Sequence, residues 1–136
     1  MNIFFTGSIR GGRAQQPQYA FIVDVLKRYG TVLSEHVSDE TLSQYGETNI
    51  SAGEILEREQ RALEGSEVVV AEVTTPSLGV GNLIGRGSAL GKRVIALYCG
   101  DDTLKLSAII KGDPNVKVFL YKTEEDIQKV LAEVFV

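Results

Sequence analysis

Val68-Val69-Val70-Ala71 is an unbroken apolar run, mostly β-branched, that ends at Glu72. A strand with one face in water alternates polar and apolar residues, so a run without alternation must be covered on both faces. A parallel sheet with helices above and below meets that condition. The rest of the chain agrees. Ile3-Phe4-Phe5, Thr31-Val32-Leu33 and Val94-Ile95-Ala96-Leu97 read as further strands. Val116, Val118 and Leu120 alternate with Lys117, Phe119 and Tyr121, which predicts a fifth strand nearer an edge. Between them lie segments with the three-and-four spacing of a helix face. These are Phe21, Ile22, Val25, Leu26 and Tyr29, a helix from about Gly53 to Glu64, one over about Val80–Leu90, and a last helix with Ile127, Val130, Leu131 and Val134 on its apolar face. Ser51 with Glu54 fits a capping box, and Thr123 caps the last helix. The order predicts an α/β fold: a single-domain, three-layer sandwich of the Rossmann or flavodoxin-like kind with a five-stranded parallel sheet.

A chain of 136 residues is one domain by size, and 1–136 is taken as that unit. One cysteine, Cys99, and one histidine, His36, leave neither a disulfide framework nor a Cys/His metal cluster. The 14 Lys+Arg against 18 Asp+Glu argue against general affinity for a nucleic-acid polymer. Apolar runs are too short to cross a bilayer and the start carries no secretory pattern, so the expectation is a soluble, cytoplasmic chain (nuclear if eukaryotic) with no membrane partner.

Ligands of such sheets bind beyond the carboxyl ends of the strands, which directs attention to the stretches after Thr6, Glu72 and Tyr98. After the first strand comes Gly7-Ser8-Ile9-Arg10-Gly11-Gly12-Arg13. Its glycines let the backbone curl around a group with N–H donors inward, and its arginines suit phosphate or carboxylate. It lacks the Gly-Lys-Ser/Thr ending of a Walker loop, and an ordinary turn with solvated arginines is the plain alternative. Glu59 falls on the apolar face of its helix with Ile55, Ala62 and Leu63, so its carboxylate needs a partner unless the helix rotates it to water. Glu72 puts a charge at the end of the most apolar strand, where it either serves a ligand or bonds to a loop or an arginine. Pro76-Ser77-Leu78-Gly79-Val80-Gly81 opens the third helix, whose free N–H groups favour anions. The spacing of Gly79, Gly81 and Gly85 is not a dinucleotide fingerprint. His36 reads as a structural or surface residue, and Cys99 is given no role.

Those words, with Val69-Val-Ala-Glu-Val-Thr74, Gly85-Arg86, Ala89-Leu-Gly-Lys92 and Leu106-Ser-Ala-Ile-Ile-Lys-Gly112, closely resemble the 2′-deoxynucleoside 5′-phosphate N-hydrolase family, a branch of the nucleoside 2-deoxyribosyltransferase superfamily. The resemblance runs from about Asn2 to the C-terminus. It implies cleavage of the N-glycosidic bond of nucleoside 5′-monophosphates to free base and sugar 5-phosphate, without metal or cofactor, by a homodimer. It further implies that Gly7 to Arg13 surround the nucleotide, that Tyr19 lies beside the pocket, that Ser77 and Gly79 contact the phosphate with Gly81 in the same word, and that Ser107 arrives across the dimer interface.

Two positions depart from the family. It reads Gly-Val-Gly-Tyr-Glu-Leu-Gly-Arg, with a nucleophilic glutamate, whereas this chain reads Gly79-Val-Gly-Asn-Leu-Ile-Gly-Arg86 and puts Leu83 at that position. Glu59 stands where the family has an aspartate that aids the departing base. Leucine can neither attack nor exchange a proton. Either Glu59 and Glu72 divide the acid and base work on a water, as in inverting glycoside cleavage, or the chain binds nucleotide without chemistry. A phosphoribohydrolase of the cytokinin-activating type is disfavoured, since its Pro-Gly-Gly-x-Gly-Thr word is missing.

Overall fold

The computed structural model describes residues 1–8, 16–33 and 50–135. Five strands and five helices alternate: β1 (Asn2–Thr6), α1 (Gln16–Leu26), β2 (Thr31–Leu33), α2 (Ala52–Glu64), β3 (Val68–Glu72), α3 (Leu78–Ala89), β4 (Arg93–Cys99), α4 (Ala108–Gly112), β5 (Val116–Tyr121) and α5 (Glu124–Val134). The sheet order is β2-β1-β3-β4-β5, parallel throughout, as the unalternating β3 run requires. The chain reverses its direction of travel across the sheet between β1 and β3, and the carboxyl ends of these strands form the switch point.

Side-chain alternation along the strands sorts the interior into two cores. Ile3, Phe5, Val68, Val70, Ile95 and Leu97 pack with α1 and α5 on one face. Phe4, Val69, Ala71, Val94 and Ala96 pack with α2 and α3 on the other. Every residue of β3 is buried, Glu72 included. Close approach of α3 to the sheet rests on Gly87, where an added Cβ would lie 3.2 Å from Val69 Cγ2. The turn from α3 into β4 passes through Gly91 at φ 76°, a conformation side chains resist.

Ser51, Ser77 and Thr123 cap α2, α3 and α5, each accepting an N–H from the first turn. β5 is an edge strand, but its two faces are not divided between core and water. Val116 and Val118 pack on one core and Phe119 and Tyr121 on the other, while Leu120 is exposed. Helices cover both faces even at the edge, and Leu120 lies beyond their reach at the carboxyl end. Among the described residues no helix is long and apolar enough to cross a membrane.

The α5 cap is reciprocal: Thr123 Oγ1 accepts from Asp126 N at 3.1 Å, and Asp126 Oδ2 accepts from Thr123 N at 3.1 Å. Replacing Thr123 by Ala should lower unfolding free energy by about 1 kcal/mol, measured by urea denaturation, with the α/β circular dichroism spectrum unchanged.

Candidate active site

At the end of β1 the chain turns through Gly7 onto the ring of Tyr19. A Cβ at Gly7 would lie 2.9 Å from Tyr19 Cζ, so the ring occupies the space that any side chain there would need. Tyr19 is fully buried, meets Phe5 edge-on at 6.0 Å between centroids, and its hydroxyl accepts the Ser8 N–H at 3.0 Å. The tyrosine therefore holds up the turn from beneath. Ser8 is also buried, and its Oγ has no hydrogen-bond partner among the described residues. Ile9, Arg10, Gly11, Gly12, Arg13 and His36 lie outside the described residues.

Glu59 is buried to 8% exposure on the inward face of α2, as its spacing predicts, and pairs with Arg58 at 2.9 Å. The alternative in which α2 turns it to water does not hold. Neighbouring contacts fix its position against α3. Arg86 Nη1 donates to Gln60 Oε1 at 3.3 Å, and a Cβ at Gly87 would lie 3.5 Å from Leu63 Cδ1. Both helices run antiparallel to the strands, so one turn back from Leu63 and Gly87 sets Glu59 opposite Leu83. Leu83 itself is partly buried and packs against the apolar core beneath α3. Arg86 shares this α2-facing flank through its bond to Gln60.

The other flank of α3 faces α4, where Ser88 Oγ donates to Asp113 Oδ1 at 2.9 Å. Here a cleft of about 420 Å³ opens between Val73–Gly81 and Lys105–Ile110. Ser77, Gly81 and Ser107 line it. Both serines cap helices: Ser77 Oγ accepts from Val80 N and Ser107 Oγ from Ile109 N, each at 3.2 Å. Of the expected phosphate residues Ser77, Gly81 and Ser107 border the α4 cleft, and a Cβ at Gly79 would lie 3.9 Å from Ser77 Oγ.

Glu72 lies on the opposite face of the sheet from Glu59, among the residues that contact α1 and α5. Its carboxylate accepts from Thr74 N at 2.7 Å, from Thr74 Oγ1 at 2.8 Å and from the Tyr121 hydroxyl. These are the loop contacts of its structural alternative, and the structure does not bring Glu72 and Glu59 together. Thr74 and Tyr121 were not legible as its partners, because one lies in a loop and the other two strands away. Burial raises the Glu72 carboxyl above its ordinary value of 4.5, against the lowering effect of its donors. Burial and the adjacent Glu72 keep the Tyr121 phenol protonated.

A carboxyl that ionises less readily when folded contributes stability below its unfolded value, and that contribution is lost as pH rises through the folded value. Stability should therefore decline above pH 4.5 through the raised range. Urea midpoints from about pH 4 to about pH 8 should show this slope in the native chain and a flatter one in Glu72→Gln. An identical slope in the variant would assign the titration to another group.

No family model matches the chain. A 5-hydroxymethyl-dUMP N-hydrolase of Danio rerio is 45% identical over 138 residues, covering 99% of this chain and 96% of that protein. The enzyme of the same name from Mus musculus is 43% identical, covering 98% of this chain and 79% of its own. Among solved structures, a CMP N-glycosidase of Clostridium botulinum superposes with a TM-score of 0.69 at 18% identity, covering 98% of this chain and 99% of that one. This last likeness bears on the fold. With a relative of Nematostella vectensis named as a putative 2′-deoxynucleoside 5′-phosphate N-hydrolase, 45% identical over 98% of this chain and 92% of its own, this near full-length identity places the chain in the 2′-deoxynucleoside 5′-phosphate N-hydrolase family.

Proposed function

We propose that the chain hydrolyses the N-glycosidic bond of 2′-deoxynucleoside 5′-monophosphates, releasing free base and sugar 5-phosphate. The observation that carries this reading is its kinship, along nearly the whole chain, with proteins named as N-hydrolases of 5-hydroxymethyl-dUMP or of 2′-deoxynucleoside 5′-phosphates. The site adds a buried carboxylate, Glu59, on the helix beside the one that holds position 83. With Leu83 there, no covalent glycosyl-enzyme forms at that position. Glu59 instead takes a proton from water as the water oxygen bonds to the anomeric carbon. The C1′–N bond breaks, its electron pair leaves with the base, and Glu59 returns the proton to the base. Arg58, 2.9 Å away, balances the carboxylate's charge. Gly7, Ser8 and the loop through Arg13 hold the nucleotide, with Tyr19 fixing the turn.

Ser77, Gly79, Gly81 and Ser107 serve the 5′-phosphate in this reading. Leu78, Leu104 and Ile109 stand 97%, 83% and 83% exposed around the α4 cleft. Large apolar side chains so exposed favour burial by a second copy, which would bring Ser107 to the interface. The observation favouring a nucleotide binder without chemistry is Leu83, whose side chain packs into the core instead of presenting a polar group.

Release of free base from the four common deoxynucleoside 5′-monophosphates, followed by chromatography, separates the two readings. Hydrolysis by the native chain, abolished in Glu59→Gln with binding retained, is the expected result. Base release by Leu83→Glu alone would instead identify the native chain as a binder. Full activity in Glu59→Gln would remove Glu59 from the mechanism.

A further inference from the structure

We propose that Glu72 is a positioning residue of the substrate site: through Thr74 it fixes the segment that carries the Ser77 hydroxyl. The inference rests on the reading of the chain as a monophosphate N-hydrolase with Ser77 at the 5′-phosphate, and deepens it.

Glu72 is fully buried and bonds to Tyr121 of the core under α1 and α5. The α3–α4 cleft is lined instead by Val73, Val80, Ile84 and Leu106 of the opposite core. Any part that Glu72 plays there must pass through another residue.

Thr74 is that residue. Its N–H donates to Glu72 Oε1 at 2.7 Å and its hydroxyl to Glu72 Oε2 at 2.8 Å. The same hydroxyl oxygen accepts the Cys99 N–H at 2.8 Å. Backbone and side chain of Thr74 are thus both held. The clamp needs two acceptor oxygens side by side, which a carboxylate supplies and an amide does not.

The lever from Thr74 to Ser77 is short and stiff. Thr75 precedes a proline, which confines it to extended backbone, and the ring of Pro76 sets its own φ. Ser77 follows at φ −148° and ψ 123°, with Oγ accepting from Val80 N at 3.2 Å and its carbonyl from Gly81 N at 3.1 Å. With that oxygen engaged, the hydroxyl proton remains to be donated to an anion. Thr74, Thr75, Pro76 and Ser77 all line the cleft. A shift at Thr74 therefore carries the Ser77 hydroxyl with it, and hydrogen bonds weaken steeply with misalignment.

A double-mutant cycle read by calorimetry tests this, with a deoxynucleoside 5′-monophosphate and the matching bare nucleoside as ligands. Thr74→Val keeps the branched shape but removes the hydroxyl from the clamp. It should weaken monophosphate binding about three- to tenfold, with nucleoside binding within about twofold of native and Thr74→Ser largely restoring the loss. Ser77→Ala should weaken the monophosphate about tenfold, and adding Thr74→Val to it should cost less than about twofold more. Glu72→Gln should match Thr74→Val; if it does not fold, the threonine variants carry the test. If Thr74→Val costs as much with Ser77→Ala as without it, or weakens both ligands equally, the clamp is structural and the proposal falls while the hydrolase reading stands. Ser77→Ala without effect on the monophosphate would leave the clamp nothing to aim and overturn the proposal as well. A native chain that binds the monophosphate no better than the nucleoside would overturn the proposal together with the reading beneath it.

Discussion

Glu72 has no exposed surface, so its carboxylate must be solvated by the protein alone. Thr74 supplies two donors and Tyr121 a third, and Thr74 Oγ1 in turn accepts the Cys99 N–H at 2.8 Å. One buried acid thereby ties together the carboxyl ends of β3, β4 and β5. Val73 N donates to Leu97 O at 2.9 Å, so the chain leaves β3 on a fixed path towards Ser77, which caps α3. A site built at that helix start inherits the rigidity of the knot behind it.

The proposed site then borders α3, a helix that propensity alone would not favour. Gly79, Gly81, Gly85 and Gly87 all fall within it, and interior glycine costs about 1 kcal/mol each relative to alanine. The cap at Ser77 and the burial of Val80 and Ile84 hold it in place. Gly81 and Gly85 have open space where a Cβ would stand, so no side chain covers the backbone there. The helix separates two environments: a largely apolar seam against α2, with Glu59 its buried carboxylate, and a polar-rimmed cleft against α4.

The fold was legible because the sheet's demands are local and periodic. A run without alternation at Val68–Ala71 can only be a doubly covered strand, and the caps at Ser51 and Thr123 mark their helices by residue type. Glu59 was legible as a polar residue in an apolar period. Glu72 was legible as an anomaly, but not its resolution, since Tyr121 meets it through strand pairing 49 residues away.

The two departures from the family pattern stand on the contacting helices α2 and α3, and they make sense together. In that pattern an aspartate at position 59 would face a glutamate at position 83, and two carboxylates at close range oppose each other's ionisation. Leu83 removes one charge and adds apolar surface to the core beneath α3. The remaining acid gains a methylene, which lengthens its reach. Its charge is answered by Arg58 instead of opposed by a second acid. A lone, charge-balanced carboxylate fits activation of water better than shared proton chemistry between two acids. In the proposed reading the pair of changes exchanges a covalent route for a direct one, with Glu59 as the residue that carries it.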